Sequence, residues 1–361
     1  MTESTNIIPV KPRKLEGIQI LRGIAAAMVV FCHVVNAVYN YDHGQSLLAK
    51  KQFILWGTSG VDIFFVISGF IIYITTVNKN RQADSAPAFM LKRALRIYPL
   101  YWLFTTVYVL LILSGLAFRS NPITPLYTIS SYLLIPADKP GHHGFIHPIV
   151  SQGWTLAYEL YFYLIFSLGI LLKQKKHFIL YLCISLSVLA GLALSFKSVY
   201  LPVTGLISSP LIMEFVLGVL LARLFLHLQK SQLLFKSNYL CALLIAIALL
   251  ALYFEPVNVS RVAYRAPLAG LMLLTAAMLC PVRSAVNRYL IYLGDASYSV
   301  YLTHGLFSLA IGTLLKKGWL GMIDPSLIIL LFTAIAIIGG VLVYTWIEKP
   351  LMIRLKRSTL K

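Results

Sequence analysis

Apolar residues in this chain collect in long stretches, which short polar and basic segments separate. About 20 mostly apolar residues form a helix long enough to cross the roughly 30 Å hydrocarbon core of a bilayer. The pattern therefore predicts an all-α membrane protein, a polytopic bundle of about ten transmembrane helices. The predicted spans are residues 18–40, 54–77, 95–117, 153–172, 178–196, 203–227, 238–254, 264–281, 290–314 and 326–347.

Basic residues predict how this bundle is oriented. Lys and Arg are more frequent in one alternate set of connecting segments, and the richer set of a membrane protein faces the cytoplasm. Both termini are therefore expected in the cytoplasm, in agreement with an even number of spans. We expect a cytoplasmic arm over 1–17, one transmembrane domain over 18–348 and a basic tail over 349–361, in the cell inner (cytoplasmic) membrane.

Composition narrows the class of protein further. Hydrophobic residues make up 59% of the 361 residues and charged residues 12%, whereas soluble domains have about 25% charged residues. This excludes an ordinary cytosolic enzyme. The net charge of +19 is expected to hold the basic arms near anionic lipids of the bilayer. Nucleic acid is not an expected partner, because so apolar a chain leaves little wet surface for a groove that follows phosphates.

The first predicted helix contains Arg22 and His33 inside an otherwise apolar run. Eleven residues at 100° each amount to about 1100°, so the two side chains lie on one stripe of the helix, about 16 Å apart. Ionisable residues within a membrane helix suggest function by default. The structural alternative is an Arg22 that reaches the headgroups and a His33 that is hydrogen-bonded between helices.

Other ionisable residues recur inside the predicted helices. Any one of them has a structural explanation, but several at one depth of a bilayer are costly unless they surround water or a ligand. We expect Asp62, which lies among glycines, to pair with His33; the alternative is a structural Asp in a helix-packing motif. The expected outer layer is His33, Asp62, Glu159, Glu214 and His304, and the expected inner layer is Arg22, Arg93, Arg96 and Glu348.

Arg93 and Arg96 precede the apolar part of the third span and share a face if this stretch is helical. Guanidinium groups bind phosphates in a bidentate manner, so a nucleotide phosphate entering from the cytoplasm would meet them. Topology alone also predicts basic residues at this position. Ser297, near the inner end of the ninth span, either binds substrate or bonds to a helix carbonyl.

Histidines and cysteines do not predict a metal site. His142, His143 and His147 lie in the outer loop 118–152, where neighbouring glycines and a proline argue against a helix that presents zinc ligands. This loop either faces substrate or is incidental. The four cysteines lie within or at the end of apolar runs and are interpreted as small core residues, so no metal is expected.

At these same positions the sequence resembles the acyltransferase-3 family of integral membrane acyltransferases, which includes bacterial O-acetyltransferases of exopolysaccharide and lipopolysaccharide. The resemblance extends over nearly the whole chain. Its motifs are Arg22 and His33 in R-x10-H form, GVDIFFVISGF in the second span, RxxRIYPLYW in the third, WTLAYE in the fourth, EFVLG in the sixth, SYSVYLTH in the ninth and WIEKP near the end.

The resemblance implies transfer of an acyl group, commonly acetyl from cytoplasmic acetyl-CoA, to a hydroxyl of a glycan on the other side. Arg93 and Arg96 would then bind the donor phosphates, with Arg22 deeper along the route. His33 would act as base or as acyl carrier, since direct transfer and a covalent acyl-His intermediate use the same residue. Asp62 or Glu159 would orient the imidazole. Expected supporting residues are Glu214, Ser297, His304 and Glu348, and proteins of polysaccharide assembly are candidate partners.

Two other functions compete with this interpretation. Intramembrane carboxylates and histidines also serve as proton relays in secondary transporters and flippases. No inverted repeat is visible in the sequence, however, and a transporter gives no purpose to the R-x10-H and RxxR motifs. A non-catalytic scaffold of a polysaccharide assembly complex would tolerate the loss of His33.

Overall fold

A computed structural model of the protein describes residues 15–76, 85–115, 123–142, 147–172, 178–195, 202–231, 237–256, 258–279 and 284–359. These ranges contain helices and no named strand. In chain order the elements are α1 (Glu16–Asp42), α2 (Lys51–Thr76), α3 (Ala86–Leu113), α4 (Pro125–Leu133), α5 (Gly153–Leu171), α6 (Phe178–Ser195), α7 (Pro202–Ile207), α8 (Ile212–Lys230), α9 (Asn238–Tyr253), α10 (Arg261–Met278), α11 (Ala285–Asp295), α12 (Ser297–Lys316), α13 (Pro325–Val343), a π-helical turn (Tyr344–Glu348) and α14 (Lys349–Thr359).

The all-helical architecture is confirmed in the described part of the chain, where eight helices are long and apolar enough to cross a membrane. Of the other predicted spans, α9 has 16 residues and is a shorter apolar helix. Helix α10 carries Arg261 and Arg265 in its first two turns, which lowers its apolar character. The count of ten spans and the cytoplasmic location of both termini stay predictions.

Helix α1 is the centre of the bundle. It packs against α2, α10, α11, α12 and α13, and most of its apolar residues are buried. Backbones approach closely here because glycines lie at the contacts: a Cβ at Gly60 would collide with the carbonyl oxygen of Ala25. The small residues of the second span therefore have the packing role that their spacing suggested.

The predicted ninth span is two helices rather than one. Helix α11 ends at Asp295 and α12 begins at Ser297, and Gly294 lies against the backbone of Gln19 with no room for a Cβ. This contact brings the first residue of α12 next to the first turns of α1, where Arg22 lies.

Stacked aromatic rings join three other helices. Phe215 of α8 stacks on Phe65 of α2 at 4.6 Å between ring centroids and on Phe162 of α5 at 4.9 Å. Offset aromatic pairs of this kind contribute about 0.5–1.5 kcal/mol each beyond the area they bury. Helices α2, α5 and α8 are thereby held in fixed positions around the cavities described next.

Candidate active site

A cavity of about 570 Å³ lies beside the first turns of α1, and we name it the arginine cavity. Its walls come from α1, α2, α3, α5, α11, α12 and the segment that runs from the π-helical turn into α14. The cavity gathers Arg22, Arg93, Arg96 and Glu348, as the sequence predicted for an inner layer, and adds the side chains of Ser297 and Glu159.

Arg22 is fixed from two sides in this cavity. Its guanidinium donates to Gln19 Oε1 at 3.0 Å and to Ser297 Oγ at 2.9 Å. The hydroxyl of Ser297 thus accepts a hydrogen bond from Arg22, and its binding to substrate stays a prediction. Two bonds to neutral groups hold the Arg22 charge in place without cancelling it.

Arg93 and Arg96 lie on one face of α3, as their spacing predicted. The guanidinium carbon of Arg93 lies 5.3 Å from the ring centroid of Phe89 and 5.7 Å from that of Tyr163, which are cation–π distances. Among the described residues, no carboxylate forms an ion pair with Arg93, and its remaining bond is a long one of 3.4 Å to Thr75 Oγ1. Its charge is therefore available to an anionic ligand.

Arg96 has a carboxylate near it. Its Nη1 lies 3.7 Å from Glu348 Oε1, and the Arg96 side chain is 39% exposed. Glu348 is buried in the π-helical turn, where its Oε2 accepts a hydrogen bond of 2.6 Å from Ser299 Oγ. The 3.7 Å separation and the exposure of Arg96 leave its guanidinium able to contact an anionic ligand as well.

Glu159 belongs to this cavity and not to the layer of His33. Its Oε1 accepts a hydrogen bond of 2.7 Å from Ser68 Oγ, and both residues line the arginine cavity. The predicted placement of Glu159 in the outer layer is therefore wrong. The position of Glu159 along α5 predicts its depth but not the side of the helix from which its carboxylate points.

A second cavity of about 460 Å³, the histidine cavity, lies further along α1. His33 lines it and is exposed to it. The ring centroid of His304 lies 4.7 Å from that of His33, and His304 is buried with its Nε2 3.4 Å from the side-chain amide of Gln152. The two histidines predicted to lie at one depth thus meet in the fold.

No carboxylate orients the His33 ring in the described part of the chain. Its ring contact is with His304, and neither ring nitrogen is hydrogen-bonded to a described residue. The predicted pairing of His33 with Asp62 or Glu159 is therefore not formed. Both nitrogens of His33 are instead available to a ligand in the histidine cavity.

Asp62 is fully buried and binds arginines of α10. Arg261 donates to both of its carboxylate oxygens at 3.0 Å, and Nη1 of Arg265 lies 3.4 Å from Oδ2. The register of α1 and α2 explains this placement, since Gly57 contacts Cys32, the residue before His33. Asp62 lies five residues beyond Gly57, about 7.5 Å further along the helix and away from His33.

Glu214 belongs to the same buried network as Asp62. It is fully buried in the first turn of α8 and lies beside the carboxyl group of Asp62. Arg265 also binds Glu255 at 2.7 Å. Two buried carboxyl groups side by side need cations nearby, which the two arginines supply, so Glu214 is placed in a packing network and lines neither cavity.

Sequence reasoning missed the arginines of α10. Neither was predicted as a site residue, whereas Arg261 lines the histidine cavity and Arg265 is 4% exposed. Their spacing of four residues puts both on one helix face, and this was the available signal that a carboxylate partner lies opposite.

The arginine and histidine cavities meet inside the protein. Val61 of α2 and Tyr301 of α12 line both of them, and within the described ranges these are the two residues that do so. A cavity lined by three arginines and a cavity lined by an available imidazole therefore lie on either side of Val61 and Tyr301. Tyr301 was part of a motif in the sequence but was not predicted as a site residue.

The outer loop contributes one of its histidines to the site. His147 lines the histidine cavity, and partial burial lowers its pKa below the ordinary value, so its ring is neutral near pH 7. His142 is exposed and bridges to Lys139 through the backbone. His143 lies outside the described residues.

Comparison with known proteins finds one matching family and several related proteins. Residues 15–345 match the acyltransferase domain of the acyltransferase-3 family. The chain is 32% identical over 308 residues to the exopolysaccharide production protein ExoZ of Rhizobium meliloti, with 82% of this chain and 90% of that protein covered.

Two further relatives cover most of the chain. Nodulation protein 10 of Rhizobium leguminosarum bv. viciae is 28% identical, with 84% of each chain covered. The acyltransferase MdmB of Streptomyces mycarofaciens is 26% identical, with 96% of this chain and 93% of that protein covered. No solved structure matches the chain. The match over most of its length shows that this chain belongs to the acyltransferase-3 family and is a membrane O-acyltransferase.

Proposed function

We propose that this protein moves an acyl group, acetyl in the first place, from a cytoplasmic acyl-CoA to a hydroxyl of a cell-surface polysaccharide or its lipid-linked precursor. One observation carries the proposal: a cavity lined by three arginines, of which Arg93 has no carboxylate partner among the described residues, and a cavity with an available imidazole meet at Val61 and Tyr301. A donor that enters one cavity and an acceptor that enters the other would meet at this boundary. The name of the relative ExoZ, an exopolysaccharide production protein, supports the class of acceptor.

The arginine cavity is the proposed donor site. The phosphates of acyl-CoA would bind Arg93 and Arg96, which are the two arginines of the RxxR motif on α3. Arg22, held by Gln19 and Ser297, would attract the donor further in. The thioester would then lie close to Val61 and Tyr301, with its carbonyl directed to the histidine cavity. No metal is part of this proposal.

His33 is the proposed base. The neutral imidazole takes the proton of the sugar hydroxyl as the hydroxyl oxygen attacks the thioester carbonyl carbon. The new C–O bond forms, the C–S bond breaks, and the thiolate of CoA receives the proton from the imidazolium. The products are an O-acyl ester of the glycan and free CoA. With an acyl-His33 intermediate, the same overall reaction would take two steps. His33 would first accept the acyl group from the thioester, and the sugar hydroxyl would then take it from His33.

His304 and Gln152 would support His33. The ring of His304 lies against that of His33, and the amide of Gln152 lies next to His304 Nε2. The ring of His304 would thus hold the His33 imidazole in place, a role that the sequence suggested for a carboxylate. Asp62 and Glu214 would keep α2, α8 and α10 together and would act on the reaction only through the position of those helices.

The proposal includes a topology. The arginine cavity would open to the cytoplasm, with both termini on that side and the protein in the inner membrane. The histidine cavity would open to the other side, where the glycan and proteins of polysaccharide assembly are found. The basic residues near the chain ends support this orientation through their attraction to the anionic cytoplasmic leaflet.

The test uses purified protein in lipid vesicles, acetyl-CoA labelled in the acetyl group, and extracted cell-surface glycan. Wild-type protein should transfer label to the glycan. His33→Ala should lower the rate by about 10²- to 10⁴-fold, the usual contribution of a general base. Arg93→Ala should weaken acetyl-CoA binding by about tenfold or more, as expected for the loss of a hydrogen bond to a charged group.

Two exposed residues of α8 that line neither cavity provide matched controls. His227→Ala and Arg223→Ala remove the same side chains elsewhere and should leave transfer and binding unchanged. If His33→Ala transfers label like the wild type, His33 is not the base. If acetyl-CoA does not bind and label never reaches glycan, the acyltransfer proposal fails for this donor. Movement of a glycan or ion across the vesicle membrane without ester formation would instead support a transporter or flippase.

A further inference from the structure

Few residues separate the two cavities. In the described part of the chain, Val61 and Tyr301 are the residues that line both the arginine and the histidine cavity. If the donor occupies one cavity and His33 reacts in the other, the acyl group must pass beside these two side chains. The shape of this gap then decides which acyl groups reach His33.

Tyr301 is fixed at this gap by hydrogen bonds to the first turn of α5. Its hydroxyl lies 2.8 Å from Thr155 Oγ1 and 3.3 Å from the carbonyl oxygen of Gln152, to which Thr155 Oγ1 also donates at 3.1 Å. The hydroxyl groups of Tyr301 and Thr155 have one proton each, and both protons are used in hydrogen bonds among these three oxygens. Neither hydroxyl therefore has a proton left to donate to a substrate. The hydroxyl of Tyr301 holds the ring rather than taking part in chemistry.

The ring of Tyr301 is also held by its neighbours. It meets Phe64 edge to face at 6.1 Å between centroids and His304 at 5.6 Å, and only 8% of the residue is exposed. Turning the ring aside would break its hydroxyl bonds and lose both aromatic contacts. Val61 faces the same gap with a short, branched side chain that has little rotational freedom. The gap therefore cannot widen easily for a larger group.

We propose that Tyr301 and Val61 form a partition that sets the length of the transferred acyl group, passing acetyl and rejecting longer chains such as butyryl. The proposal rests on the proposed function, because it requires that the donor and His33 occupy opposite sides of the partition. Tyr301 is a specificity-determining residue in this account, with no proton or electron pair to transfer. Each additional methylene that a rigid pocket cannot hold lowers kcat/KM by roughly 10- to 200-fold.

The experiment measures kcat/KM for acetyl-CoA and for butyryl-CoA with the same glycan, using full-length protein in vesicles. Wild type should prefer acetyl. Tyr301→Ala should lower the acetyl-to-butyryl ratio by at least about tenfold, which corresponds to one methylene of rejected length. Val61→Ala, a milder change, should shift the ratio in the same direction and provides the test if Tyr301→Ala does not fold.

Leu302→Ala is the matched control, since Leu302 is the buried neighbour of Tyr301 and lines neither cavity. It should change stability and leave the acetyl-to-butyryl ratio unchanged, because a purely structural loss affects both donors alike. A wild type without acetyl preference, or a ratio that stays constant in both partition variants, overturns the proposal. If wild type transfers neither acyl group to glycan, the proposed function itself has failed, which is a separate outcome.

Discussion

A substitution of Asp62 tests whether this buried carboxylate has a catalytic or a structural role. The sequence suggested that this carboxylate orients His33, whereas the structure pairs it with Arg261 and Arg265. We predict that Asp62→Asn mainly lowers the stability of the protein. The turnover of the molecules that remain folded should fall far less than it does when the base is removed.

The size of the effect follows from the contacts. The Asp62 carboxylate is completely buried and receives contacts at 3.0, 3.0 and 3.4 Å from two guanidinium groups. Removing one partner of a fully buried ion pair costs about 3–5 kcal/mol, because the other charge remains buried without compensation. The loss here should be smaller, about 1–3 kcal/mol, the cost of leaving a buried polar group with a poor partner. Arg261 is 36% exposed to solvent, Arg265 keeps its ion pair with Glu255, and asparagine keeps one acceptor oxygen.

The assay follows unfolding in mixed micelles during titration with sodium dodecyl sulfate, using the fluorescence of the five tryptophans. Asp324→Asn is the matched control, because Asp324 is the N-cap residue of α13 and asparagine caps helices equally well. It should change the free energy of unfolding by no more than about 0.5 kcal/mol. The double variant Asp62→Asn with Arg261→Gln should lose less than the sum of the single variants, since no unpaired charge remains.

The turnover number of Asp62→Asn tests whether its role is structural. With acetyl-CoA and glycan, kcat per folded Asp62→Asn molecule should stay within about tenfold of wild type, whereas loss of a base costs about 10²- to 10⁴-fold. A variant with wild-type stability and a kcat lowered more than a hundredfold would show that Asp62 acts on the reaction. The assignment of Asp62 to the packing network would then be wrong.

Three further predictions concern the arginine cavity and the helix packing. Arg93→Lys keeps the charge but loses the planar fork and the ring contacts, so KM for acetyl-CoA should rise about tenfold in a steady-state assay; an unchanged KM would exclude bidentate binding. Glu348→Gln removes the carboxylate beside Arg96, so KM for acetyl-CoA should fall, by at most about fivefold for a pair whose arginine is exposed and 3.7 Å away. A rise would show that Glu348 orders the site. Gly60→Ala places a Cβ against the Ala25 carbonyl and should lower the free energy of unfolding by about 1–3 kcal/mol, whereas an unchanged value would mean that α1 and α2 separate easily.

Local periodicity made part of the site predictable. Arg22 and His33 are eleven residues apart on one helix, and Arg93 and Arg96 are three apart on another, so helical geometry alone fixes their relative directions. Each pair lies as expected in the structure, with Arg22 in one cavity and His33 in the other. The long apolar runs likewise predicted the helices, because a membrane requires both their length and their composition.

Contacts between distant segments were not predictable in this way. Asp62 and Arg261 are 199 residues apart, and nothing in either helix alone states that they meet. The position of Asp62 along its own helix follows from the sequence, but the close glycine contacts of α2 decide the register with α1. Glu159 shows a related error, since its distance from the start of α5 gave its depth but not the cavity to which it points.

The π-helical turn at Tyr344–Glu348 has a consequence for sequence change in this region. The N–H of Lys349 donates to the carbonyl of Tyr344, five residues back, so the turn contains one residue more than an α-helix of the same rise. Deleting a single residue before Glu348 would therefore restore regular α-helix over the same rise, and the wide turn that absorbed the extra residue would disappear. Glu348 would stay beside Arg96 and Ser299, and the first turn of α14 would stay at the cavity. In a regular helix the same deletion would rotate everything beyond it by about 100°, so this turn accepts a loss of one residue that the helices around it do not.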